Sequence, residues 1–144
     1  MFRKLTAATA VAVALAAPAW AETFEVQMLN KGDAGAMVYE PDFLRIAPGD
    51  TVKFVATDKG HSAETMKGMV PEGGETFTGK INEEVEVTFN TEGFYGIKCK
   101  PHFAMGMVMT IAVGDGAAPE DFLGGKIPKK AMKRFEAQLE NLSQ

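Results

Sequence analysis

The sequence predicts an all-β protein, a β-sandwich or small Greek-key barrel followed by a helical ending. Short runs of alternating apolar and polar residues fill most of the chain, and turn residues interrupt them. Only near the C-terminus does the apolar spacing become helical. No helical stretch long enough for a βαβ crossover separates the runs, so a parallel α/β sheet is not expected.

The first segment stands outside the fold. Arg3 and Lys4 give a positive start, Thr6 to Ala17 is uncharged and apolar, and Ala19-Trp20-Ala21 supplies a small-x-small cleavage pattern. Residues 1–21 therefore read as a signal peptide, and 22–144 as one exported domain. The apolar run is shorter than the roughly 20 residues that span a bilayer, so no membrane anchor is expected.

In the exported part Phe24, Val26 and Met28 alternate with Glu25 and Gln27, and Val52 and Phe54 follow the turn Pro48-Gly49-Asp50. Val85, Val87 and Phe89 alternate with Glu84, Glu86 and Thr88. Phe94 to Cys99 and Val108 to Val113 are further β-rich runs. Asn30-Lys31-Gly32-Asp33, Pro71-Glu72-Gly73-Gly74 and Thr91-Glu92-Gly93 mark other turns. The sandwich is expected over 22–115 and a helical extension over 116–144. In that extension Ala118 to Leu123 predicts a short helix broken by Gly124-Gly125. A second helix starts at Pro128, with Met132, Phe135, Leu139 and Leu142 on the face that packs on the sandwich.

Composition excludes several functions. A net charge of −4 lacks the basic footprint of a nucleic-acid binder. One cysteine excludes an internal disulfide, an iron–sulfur cluster and a multi-cysteine zinc site. A free thiol in an oxidising compartment is a liability unless buried or occupied.

The chemistry is concentrated in Cys99, His61 and His102, the whole cysteine and histidine content of the chain. Cys99 and His102 belong to a loop bounded by strand runs, with Met107 following in the spacing C-x2-H-x4-M. His61 lies 38 residues before Cys99, after Lys59-Gly60 at the end of another strand, where a sandwich could bring it beside the loop. One thiolate and two imidazoles in a plane, with a weak axial thioether, describe a blue-copper electron-transfer site. Met105 and Met109 compete with Met107 for the axial place. Four protein ligands leave no position for substrate, so the chemistry is that of a carrier, not an enzyme. Pro101 has no N–H to offer the nearby sulfur. A copper store without redox traffic, and a hydrolase using Cys99 and His102 as nucleophile and base, are the rival readings. The hydrolase lacks an orienting residue and leaves His61 unexplained.

From about Phe24 to Leu142 the chain resembles the cupredoxins, and among them the pseudoazurin group. The resemblance rests on Met28-Leu29-Asn30-Lys31-Gly32, Gly35-Ala36-Met37-Val38, Thr57-Asp58-Lys59-Gly60-His61 and the Cys99 to Met107 loop. It implies an eight-stranded Greek-key sandwich with two C-terminal α-helices folded onto it, and one type 1 copper ion on His61, Cys99, His102 and Met107. It also implies a monomeric periplasmic electron carrier that exposes the His102 edge within an apolar patch of Met37, Phe103, Ala104 and Met105. Copper nitrite reductase and c-type cytochromes, redox proteins met in denitrification, are the implied partners. Lys31, Lys59, Lys67, Lys80, Lys98 and Lys100 lie in or near loops around this patch; Lys31, Lys59, Lys98 and Lys100 would steer the carrier to acidic surfaces, and Lys67 and Lys80 read equally as docking residues or as loop solvation. Ser62 stands where the group commonly has asparagine, and its shorter side chain is expected to weaken the link between the two ligand loops.

Overall fold

The computed structural model describes residues 11–16 and 20–143. Much of the stretch read as a signal peptide, 1–21, lies outside the described residues. Val11, Val13, Leu15 and Trp20 are strongly exposed and have no regular structure.

The strands are β1 (Thr23–Gly32), β2 (Gly35–Glu40), β3 (Phe43–Ile46), β4 (Asp50–Val55), β5 (Glu64–Thr65), β6 (Val85–Phe89), β7 (Gly93–Lys98) and β8 (Val108–Val113). They form two four-stranded sheets, ordered β2-β1-β4-β6 and β3-β8-β7-β5. The expected sandwich is therefore present, with mixed rather than purely antiparallel sheets: β1 pairs in parallel with β4, and β3 with β8. Sandwich connections that cross between the two sheets make these pairs, so no βαβ helix is needed. The expected turn at Asn30 begins later, because β1 continues through Gly32 and the chain reverses at Asp33-Ala34.

The alternation read in the sequence is the packing. Val26, Met28, Val52, Phe54 and Phe89 from one sheet meet Tyr95, Ile97, Met109 and Ile111 from the other in a closed core. At the Pro48-Gly49-Asp50 turn, Gly49 takes φ 96, and the Asp50 carboxylate accepts the N–H groups of Glu22 and Ala47 at 2.9 and 2.8 Å.

The C-terminal extension contains one α-helix, not two. α1 spans Lys129–Glu140 and ends in a 3-10 turn at Asn141–Ser143. The segment predicted as a first helix makes only a turn. Phe122 N–H reaches the Pro119 carbonyl at 3.1 Å and Gly124 N–H reaches that of Asp121 at 2.8 Å. The glycine pair stops propagation before the cost of nucleating a helix is recovered. Tertiary burial of Phe122 holds this turn instead. Phe122, Ala131 and Phe135 cover Phe94, Val108 and Ala112 on the outer face of the β3-β8-β7-β5 sheet. Of the face expected to pack, Phe135 is buried and Leu139 and Leu142 are partly buried against this cluster, whereas Met132 lies outside it and Ala131 and Gln138 are the other buried positions of α1. All six residues of β8 are buried as a result. Among the described residues, no helix is long and apolar enough to cross a membrane.

Candidate metal centre

The donor residues sit at one end of the sandwich. Strand pairing of β7 with β8 fixes the base of the loop, whose ends meet where Cys99 N–H donates to the Met107 carbonyl at 3.0 Å. Within it, Lys100–His102 form a 3-10 turn started by Pro101. Met107 N–H returns to the His102 carbonyl at 3.1 Å. Three residues of the C-x2-H-x4-M spacing are thus tied to one another by backbone before any side chain is considered. His61 does not end a strand: β4 stops at Val55, and His61 lies in the β4–β5 connection.

Side chains from these two stretches converge. His61 Nδ1 lies 3.2 Å from His102 Nδ1 and 3.8 Å from Cys99 Sγ, and His102 Nδ1 is 3.5 Å from the same sulfur. A triangle of that size holds a central point about 2 Å from each donor, the bond length of a metal to imidazole nitrogen and thiolate sulfur. These three residues form a group able to hold a metal ion. His61, Cys99 and Met107 are fully buried, while His102 is half-buried.

Hydrogen bonds select the donor atoms. His61 Nε2 donates to Asn30 Oδ1 at 2.8 Å, which leaves Nδ1 with its lone pair toward the centre. Asn30 is held in turn by Asp58, whose carboxylate accepts its N–H at 2.7 Å. Asn30 was legible only as a turn residue; nothing local signals that its side chain fixes a tautomer 31 residues away. Burial lowers the His61 pKa, and the neighbouring His102 lowers it further against the opposing pull of Asp58, so the neutral imidazole required of a ligand is favoured. Burial pushes the Cys99 thiol up, partly offset by the N–H groups of Ser62 and His102. Metal binding therefore has a proton to displace there.

Ser62 keeps the link it was expected to weaken. Its Oγ accepts Lys100 N–H at 3.2 Å, its N–H points to Cys99 Sγ at 3.4 Å, and its carbonyl accepts the Tyr39 hydroxyl at 2.6 Å. Backbone proximity makes the short side chain sufficient. Of the residues placed around His102, Ala104 and Met105 are exposed, and Met37 and Phe103 are half-buried. Lys31, Lys59 and Lys100 are exposed, whereas Lys98 stacks its ammonium over the Phe103 ring at 4.9 Å.

Comparison with known proteins agrees with this geometry. Residues 26–114 match the family of copper binding proteins described as the plastocyanin/azurin family. The chain belongs to that family. Within it, this cupredoxin is 53% identical to pseudoazurin of Paracoccus pantotrophus over 138 residues, covering 94% of each chain. It is 42% identical to pseudoazurin of Methylorubrum extorquens, covering 97% of its own length and 99% of the relative's. The solved pseudoazurin from Methylobacterium extorquens AM1 superposes with a TM-score of 0.79 at 40% identity, covering 83% of this chain and 98% of that one. That of Hyphomicrobium denitrificans gives 0.76 at 38%, covering 85% and 99%.

The donor set fits the family's metal. Thiolate suits Cu(I), imidazole suits either oxidation state, and with Met107 the four side chains are arranged as a type 1 copper site. This cupredoxin is an electron carrier, not an enzyme.

Proposed function

We propose that the chain is exported through its 1–21 signal peptide and carries single electrons in the periplasm to copper nitrite reductase or another redox enzyme of denitrification, receiving them from proteins such as c-type cytochromes. The observation that carries this reading is the position of His102, a half-buried donor residue followed by exposed Ala104 and Met105. A partner pressed against that patch comes close to a donor residue without entering the core. Lys31, Lys59 and Lys100 give an otherwise acidic molecule a basic side from which association is steered. Lys98 contributes by holding Phe103 in place.

Bound copper supplies the Cu(I)/Cu(II) couple, and the protein's own part is to keep its donors still. We assign Met107 as the axial ligand: its residue is buried, and its backbone is bonded to both Cys99 and His102. Asn30 fixes the His61 ring, Ser62 ties the His61 segment to the Cys99 loop, and the backbone bonds close that loop. Little donor movement means a low barrier to electron exchange. Pro101 withholds an N–H from the sulfur, and the Ser62 N–H at 3.4 Å is a weak donor. A copper store would need labile ligands, which a donor set with His61, Cys99 and Met107 fully buried disfavours.

Stopped-flow mixing of reduced protein with copper nitrite reductase, and separately of oxidised protein with a reduced c-type cytochrome, tests the proposal over a range of ionic strength. Rapid bimolecular electron exchange that slows as salt rises is expected. Exchange that is slow with every partner, together with rapid copper loss to a chelator, would favour the store.

A further inference from the structure

The β1–β2 ladder skips one step. Leu29 pairs with Val38 and Lys31 with Ala36, but Asn30 and Met37, which face each other in this register, are unpaired. Met37 is the reason. It has φ 54, a left-handed conformation that a residue with a side chain adopts only when its surroundings enforce it. The freed groups have other partners. Asn30 N–H goes to Asp58 at 2.7 Å and Asn30 Oδ1 to His61 Nε2 at 2.8 Å. The Met37 carbonyl accepts Arg134 Nη1 at 2.5 Å.

Arg134 projects from the middle of α1 and grips more than Met37. Its Nη1 also donates to the Gly106 carbonyl at 2.8 Å, and its Nη2 to that of Ala36 at 2.6 Å. Gly106 immediately precedes Met107 and has φ 91; a Cβ there would lie 3.1 Å from the Lys130 carbonyl, so α1 rests directly on the ligand loop. A planar guanidinium can serve carbonyls on two segments at once, whereas an ammonium on a single stem cannot reproduce that fork.

We propose that Arg134 is a positioning residue for the metal centre. By holding Met37 left-handed it keeps Asn30 out of the ladder and on His61, and by gripping Gly106 it fixes the loop that carries Met107. The C-terminal helix thereby acts on both ligand stretches from outside the sandwich, without touching a ligand.

Arg134→Ala and Arg134→Lys test this, beside Gln138→Ala as a control. Gln138 ties the same helix to β8 through Val108 and Thr110 and to Asp42, and its hydrogen bonds reach neither Met37 nor Gly106. The readouts are solvent exchange of the His61 Nε2 proton in the metal-free protein, followed by NMR, and copper release to a chelator from the loaded protein. Thermal midpoints are recorded for all three, and comparisons are made at an equal interval below each midpoint. Both rates should rise about tenfold in Arg134→Ala and less in Arg134→Lys, and stay within about twofold of the parent in Gln138→Ala. Equal acceleration in Arg134→Ala and Gln138→Ala would reduce the arginine to a general stabiliser and overturn the proposal. Unchanged proton exchange in both Arg134 variants would overturn it too. If Arg134→Ala does not fold, the comparison of Arg134→Lys with Gln138→Ala decides by the same criteria.

Discussion

At the scale of single residues, the centre depends on which atoms are left without a hydrogen bond as much as on which have one. Cys99 Sγ receives a long N–H contact from Ser62 and a further pull from the His102 N–H, while Pro101 adds none. Pro101→Ala should therefore raise the reduction potential by admitting a donor or water near the sulfur, as measured by voltammetry. An unchanged or lower potential would show that the proline only stiffens the loop. Asn30 does the opposite kind of work, occupying Nε2 of His61 so that Nδ1 faces inward. Asn30→Ala should lower copper affinity by about 10- to 100-fold in a chelator competition, with the fold intact by circular dichroism. The spacing of Cys99, His102 and Met107 was legible because a local loop carries it. The Asn30–His61 and Ser62–Lys100 bonds were not, because each joins backbone more than thirty residues apart.

At the scale of elements, β4 and β8 show what periodicity can and cannot reveal. β4 alternates buried and half-buried residues, as its sequence suggests. β8 is buried throughout because α1 and Phe122 cover its outer face, and its one polar residue, Thr110, bonds Gln138 of that helix. Phe135 is the fully buried anchor of that cover, and Phe135→Ala should cost about 3–5 kcal/mol in chemical denaturation. A second element-level device ties the segment before β6 to β7. Glu75 accepts the N–H of Asn90 at 3.0 Å, and its carboxylate lies 2.8 Å from the Tyr95 hydroxyl. Burial raises the Glu75 pKa, but these bonds and the Thr91 N–H outweigh it and hold the carboxyl below its ordinary value of 4.5. A folded-state pKa below the unfolded one means stability is gained above the unfolded value and lost as pH falls through the folded value. Urea midpoints should therefore fall on acidification below the ordinary carboxylate range, and Glu75→Gln should flatten that part of the profile. An identical acid limb in the variant would remove Glu75 from the cause. The short helix expected at 118–123 failed at this scale too, since a turn buries Phe122 as well as a helix would.

At the scale of the whole molecule, charge and apolar surface are distributed unevenly. The chain is acidic overall, yet Lys31 at the end of β1 and Lys59 and Lys100 in loops are exposed near the metal centre. Lys100→Glu should slow association with an acidic acceptor at low salt and leave the reduction rate within the complex nearly unchanged, a separation that stopped-flow kinetics resolves. Slowing that persists at high salt would point to contact geometry instead of steering. The amino-acid sequence by itself determined the strand periodicity, the amphipathic ending and a scarce set of soft and imidazole donors at metal-ligand spacing. Those properties are local: a few neighbouring side chains are enough to express them. Only the tertiary structure decided that β1 pairs in parallel with β4, that Asn30 leaves its ladder to reach His61, and that one helix, through Arg134, grips both ligand-bearing regions. Those contacts join segments that are distant along the chain, and their partners are chosen by packing and by the need of each displaced polar group to find a hydrogen bond.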